Sequence, residues 1–190
     1  MSVSDGGQTG QNVPALFFVF MGVSGVGKST IAKAVADALG GAFVEADDLH
    51  PSGNVERMRA GLPLSDEDRW PWLNEVCDTA MSRTPPVMVS CSALKQSYRN
   101  FIASLLPGVV FIHLTGPSDL IRERMASRKG HFMPVSLLDS QLSILEAPDE
   151  SPTSHCLDIT KPQMETVAEA ISICRQHLEP PEVSGEAFTP

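Results

Sequence analysis

An apolar run, Leu16 to Met21, leads directly into "GVSGVGKST", residues 22 to 30, and this pairing constrains the fold more than any other feature of the chain. The segment fits G-x-x-x-x-G-K-[ST], a pattern that has its physical meaning between a buried strand and a helix. Gly22, Gly25 and Gly27 let the backbone curl until its N–H groups converge on phosphate oxygens, a shape that Cβ atoms would obstruct. The helix that follows adds the positive end of its dipole. Lys28 is then placed to bridge the β- and γ-phosphates, and Ser29 to offer its hydroxyl to Mg²⁺. The whole loop, Gly22, Val23, Ser24, Gly25, Val26, Gly27, Lys28, Ser29 and Thr30, is the expected triphosphate site. The loop does not say where the phosphate goes.

Downstream, apolar runs alternate with helical patterns, which is the order that builds a parallel sheet covered on both faces. The pattern predicts strands near Leu16 to Met21, Ala42 to Ala46, Val87 to Cys91, Val109 to Thr115 and Cys156 to Ile159. Helices are expected over Lys28 to Leu39, Asp66 to Met81, Lys95 to Leu105, Pro117 to Arg128, Pro134 to Leu145 and Pro162 to His177. The 190 residues suit one α/β domain over 13–178, with polar or Pro/Gly-rich tails at 1–12 and 179–190. A formal charge of −9 opposes nucleic acid or an anionic membrane as the main partner, so an anionic ligand must meet local basic clusters. Cys77, Cys91, Cys156 and Cys174 are scattered and form no CxxC pair, which points to reduced thiols in the cytoplasm. The longest apolar stretch is too short to span a bilayer, and no targeting segment precedes it.

In an open parallel sheet, ligands sit beyond the carboxyl ends of the strands. The second strand ends in "FVEADDLHPSGN", residues 43 to 54, so Glu45, Asp47 and Asp48 fall beside the phosphate loop. Asp47 is the candidate to orient an attacking hydroxyl for in-line transfer, and a neighbouring acid to hold a Mg²⁺-bound water. The plainer alternative is that these acids solvate a loop or cap a helix starting near Gly53. His50 lies in a turn before Pro51. The third strand ends in Ser90, Cys91 and Ser92, with no aspartate to hold a metal.

Basic residues crowd the middle of the chain. Lys95 and Arg99, spaced i, i+4, are expected to share one helix face toward the site, and Arg124 and Arg128 share another that leads into "RKGHFM". Gly130 offers a hinge there, so 124–137 reads as a lid carrying arginines to the transferring phosphate. Each of these charges could otherwise be a solvated surface group.

"MGVSGVGKST", "ADDLHPSGNVERM", "GLPLSDEDRWPWL", "CSALKQSYR", "RKGHFMP" and "LLDSQLSILEAP", in this order, resemble the gluconate kinase (gluconokinase) family over roughly Phe17 to Ile159. The resemblance implies a P-loop NTPase three-layer fold, a five-stranded parallel sheet in order 2-3-1-4-5 flanked by helices, with a mobile lid. It implies ATP and Mg²⁺, transfer to the 6-hydroxyl of D-gluconate giving 6-phosphogluconate and ADP, and a homodimer. By position it assigns Lys28, Asp47, Arg124 and Arg128 to catalysis. Asp47, His50, Arg57, Arg69, Lys95, Arg99, His131 and Gln141 become candidates for the sugar-acid pocket. Glu45 stands where many members carry aspartate, one methylene shorter. "LDITKP" after the last strand is a plausible neighbour of the adenine. The rival readings are a kinase of another small acceptor, such as shikimate or a nucleoside monophosphate, and a nucleotide-dependent switch or binding protein.

Overall fold

Alternate residues of the first strand face opposite ways, and both directions are apolar. In the computed structural model, which describes residues 16–127, 136–149 and 151–179, β1 (Phe17–Met21) is buried along its whole length. Phe18 and Phe20 enter one core cluster, while Phe17, Val19 and Met21 enter the other. A strand apolar on both faces needs helices on both, and only a central place in the sheet supplies them. Burying one such side chain contributes about 1.5–3 kcal/mol relative to exposure.

The remaining elements are α1 (Lys28–Leu39), β2 (Ala42–Glu45), a 3-10 turn (Ala46–Leu49), α2 (Ser52–Arg59), α3 (Asp66–Met81), β3 (Val87–Ser90) and α4 (Gln96–Leu105). Then come β4 (Val110–Thr115), α5 (Ser118–Ser127), α6 (Ser136–Ile144), β5 (Ser154–Asp158) and α7 (Gln163–Leu178). The five strands pair in parallel in the order β2-β3-β1-β4-β5, as the resemblance implies. Ile31, Ala32, Val35 and Ala36 form one apolar stripe on α1, which packs on the same sheet face as α7. α3 and α4 cover the opposite face through Trp72, Leu73, Val76, Tyr98 and Ile102.

Most expected elements lie within two residues of their places. Two differ in ways that matter. Lys95 is not the first residue of a helix but the extended N-cap of α4, with ψ 150°, so the face expected to join it to Arg99 does not form. The segment after Pro51, suggested only as a helix near Gly53, is a full two-turn helix, α2. The tails expected at 1–12 and 179–190, apart from Glu179, lie outside the described residues, as do Arg128, His131 and most of the lid expected over 124–137. Its described ends belong to α5 and α6.

Candidate active site

β1 delivers the chain to Gly22, and three loop glycines take positive φ: Gly22 at 132°, Gly25 at 89° and Gly27 at 95°. At Gly25 a side chain is excluded twice, by that φ and by space. A Cβ there would lie 2.5 Å from Met125 Cγ of α5. The loop is tied to the end of β3 by the Gly22 N–H, which donates to the Ser92 carbonyl at 3.2 Å. Lys28 Nζ donates to the Val23 carbonyl at 3.0 Å, curling back over the loop. Ser24, Gly25, Gly27, Lys28, Ser29, Thr30 and Asp47 together line one cradle, so Asp47, following β2, is brought to the phosphate loop past the end of β3, the strand between β2 and β1.

Behind Ser29 the polar groups are oxygen donors. Ser29 Oγ lies 3.3 Å from the buried Ser90 Oγ at the end of β3. Burial raises the Glu45 carboxyl above its ordinary value, while a hydrogen bond from Ser29 pulls it back, followed in smaller measure by the backbone of Asp47 and by Ser90. Hydroxyls and a carboxylate suit a hard cation such as Mg²⁺, which keeps waters and phosphate oxygens as its other ligands. No group of three His, Cys, Asp or Glu side chains able to hold a metal occurs among the described residues.

The second pocket opens on the acceptor side. Ser24, Lys28 and Asp47 line it too, joined by His50, Met58, Leu64, Arg69, Trp72, Ser92, Leu94 and Gln141. α3 presents two of these because its start is fixed by a capping box. The Asp68 N–H donates to Ser65 Oγ at 3.2 Å and the Ser65 N–H to Asp68 Oδ2 at 2.8 Å. Arg69 and Trp72 then stand three residues apart on the face toward β2. Trp72 Nε1 donates to the Ala46 carbonyl at 2.7 Å, and the His50 ring stacks on Trp72 at 4.1 Å with 14° between planes. Burial drives His50 down from 6.5 to about 4, so its imidazole is neutral, and its buried Nδ1 has no hydrogen-bond partner among the described residues. An unpaired buried nitrogen costs on the order of 1–3 kcal/mol, which a ligand hydroxyl would restore. From α6, Gln141 Oε1 accepts from the Ser24 N–H at 2.7 Å.

A third cavity, about 210 Å³, lies on the other side of the loop, lined by Gly25, Val26, Gly27, Thr30, Ile31, Arg124, Ile159, Lys161, Gln163 and Thr166. Arg124 Nη2 donates to the Ile159 carbonyl at 2.9 Å, which ties α5 to the chain leaving β5.

The expected residues therefore separate. Asp47, His50, Arg69 and Gln141 gather with Lys28 around the acceptor pocket, and Arg124 stands beside the loop. Arg57 lies outside that pocket, exposed, 3.9 Å from Asp68. Lys95 is held outside it by Asp66, with both carboxylate oxygens at 2.7 Å. Arg99 is buried and turned inward, donating to the Ala93 and Leu94 carbonyls at 3.1 and 3.2 Å and to Gln96 Oε1 at 2.6 Å. Trp72, Ser92, Leu64 and Met58 were not among the expected site residues. Trp72 carried a signal in its i, i+3 spacing from Arg69, whereas nothing in the residue type of Leu64 and Met58, which are buried together, marks a site.

A nucleotide-type loop at the end of the central strand of this sheet defines the class: the protein is a P-loop kinase, and kinases of that class use ATP and Mg²⁺. A family model described as an AAA domain matches residues 17–148. The thermoresistant gluconokinase of Escherichia coli K12 is 42% identical over 163 residues, 84% of this chain and 93% of its own length. The crystal structure of a gluconokinase from Sinorhizobium meliloti 1021 superposes with a TM-score of 0.78 at 45% identity, covering 86% of this chain and 93% of that one. A shikimate kinase from Bacteroides thetaiotaomicron shares the fold, with a TM-score of 0.61 at 18% identity, 84% of this chain and 98% of its own. The chain belongs to the gluconokinase family.

Proposed function

We propose that the protein transfers the γ-phosphoryl group of ATP to the 6-hydroxyl of D-gluconate, giving 6-phospho-D-gluconate and ADP. The observation that carries this reading is the shared wall: Ser24, Lys28 and Asp47 line both the phosphate cradle and the acceptor pocket. Whatever binds in the second pocket meets the phosphate held in the first. A gluconate molecule brings a carboxylate and a row of hydroxyls. The pocket offers a guanidinium at Arg69, an unpaired neutral imidazole at His50, the Gln141 amide and the Asp47 carboxylate. Asp47 orients the terminal hydroxyl and receives its proton as the phosphoryl group moves. Lys28 and the loop amides hold charge on the transferring group, so the work is chiefly positioning and charge stabilisation. Ser29, with Glu45 and Ser90 behind it, would hold Mg²⁺. That ion supplies neutralisation of the phosphate charge when bound. The cavity lined by Arg124, Ile159 and Lys161 takes the nucleoside, with Arg124 also near the transferring phosphate. A homodimer acting in the cytoplasm completes this reading by family likeness. No helix among the described residues is long and apolar enough to cross a membrane.

An assay that couples ADP release to NADH oxidation, run over gluconate, shikimate and nucleoside monophosphates, tests the proposal. Turnover that depends on gluconate is expected. Preference for another acceptor, or ATP hydrolysis with no acceptor phosphorylated, contradicts it.

A further inference from the structure

Arg69 is the one guanidinium among the described residues lining the acceptor pocket, and it reaches that pocket from a side chain only 14% exposed. Its Nη1 donates to Tyr98 Oη at 3.1 Å and to the Ser65 carbonyl at 3.5 Å. Asp66, the nearest carboxylate, stands 3.7 Å away and is taken up by Lys95. Nε and Nη2 of Arg69 have no hydrogen-bond partner among the described residues, which leaves a donor edge for a ligand.

Tyr98 closes the arrangement. A phenol has one proton, and Tyr98 gives it to Asp66 Oδ1, so the oxygen lone pairs are turned toward Arg69. The Tyr98 ring is almost wholly buried, set edge-on against Trp70 at 5.2 Å, and cannot swing away. The order Lys95, Asp66, Tyr98, Arg69 thus fixes the guanidinium through Tyr98, while Asp66, its ion-pair partner at 3.7 Å, is shared with the nearer Lys95.

Resting on the functional reading above, we infer that Tyr98, backed by Asp66, is the positioning residue that aims Arg69 at the carboxylate of the acceptor and so sets the pocket's preference for a sugar acid. Tyr98 touches no reacting atom. Its effect must therefore pass through Arg69, and a purely structural tyrosine would not show that dependence.

The test is a double-mutant cycle on the full-length enzyme with Tyr98→Phe, Arg69→Ala and the pair, reading kcat and KM for gluconate and for ATP. Tyr98→Phe is expected to raise the gluconate KM about tenfold, the scale of one hydrogen bond to a charged group, with the ATP KM unchanged. In the Arg69→Ala background the same substitution should change the gluconate KM less than about twofold. Asp66→Asn should raise the same KM in the same direction, which keeps the test alive if Tyr98→Phe fails to fold. Equal losses in both backgrounds, a parallel rise in the ATP KM, or no change in either single variant overturns the inference. A wild-type enzyme that does not phosphorylate gluconate overturns the functional reading instead, before any variant is compared.

Discussion

The phosphate cradle and the acceptor pocket share three residues yet are built by opposite means. The cradle is mostly backbone: the loop 22–30, whose shape depends on positive φ at Gly22, Gly25 and Gly27, with Asp47 added from the 3-10 turn. The acceptor pocket is side chains gathered from the 3-10 turn, α2, α3, α6 and the end of β3. A backbone cradle recognises any triphosphate and tolerates almost no local change. A side-chain pocket recognises one acceptor class and can be retuned one contact at a time. Generality and specificity thus lie on either side of Ser24, Lys28 and Asp47.

That contrast breaks most visibly at the shared residues. Lys28→Ala should lower kcat by at least about 10²-fold, the scale of losing a preorganised charge contact, and steady-state kinetics at saturating ATP and gluconate reads it. Unchanged turnover would remove Lys28 from the phosphate site. A smaller effect is expected one step into the acceptor pocket. His50→Phe keeps a ring against Trp72 but removes Nδ1, and should raise the gluconate KM about tenfold while sparing the ATP KM. Equal changes in both constants would mean that the two halves are not separate.

The smallest effect is on pH dependence. The folded His50 lies near 4, below its ordinary value of 6.5, because burial disfavours the charged ring. The unfolded chain therefore takes up the proton first as pH falls. The stability tied to neutral His50 is complete above about pH 6.5 and is lost on the way down to about pH 4. Melting temperatures measured across that window should fall less steeply for His50→Phe than for the wild type. A wild-type curve with the same slope as the variant would show that His50 titrates normally.

The same division explains what the sequence made legible. The cradle is local in the chain, so "GVSGVGKST" announced it, and the sheet order followed once the motifs "CSALKQSYR" and "GLPLSDEDRWPWL" placed the chain in its family. Asp47 was readable because a strand end in a parallel sheet has one possible neighbourhood. The acceptor pocket is non-local, and residue type alone misled there. Lys95 and Arg99 are spaced to share a face, yet Lys95 caps α4 in an extended conformation, held by Asp66. Arg99 donates to two buried carbonyls and to Gln96 Oε1 instead of facing the acceptor pocket. Arg57 and Arg69 are similar as letters, but the Ser65–Asp68 capping box fixes the start of α3 and Arg69 lines the pocket from it, while Arg57, on α2, stays exposed beside Asp68. Among the described residues all four thiols are free, and burial pushes Cys77, Cys91 and Cys174 up to about 12.

The central claim is geometric: an acceptor anchored by its carboxylate at Arg69 presents its far end to the phosphate held above Lys28. Proton-coupled ³¹P NMR of the product formed from ATP, Mg²⁺ and D-gluconate reads that geometry as regiochemistry. A monoester split into a triplet by the two protons of a terminal CH₂ is the expected result. A doublet from a phosphate on an inner carbon, or inorganic phosphate alone, would contradict it.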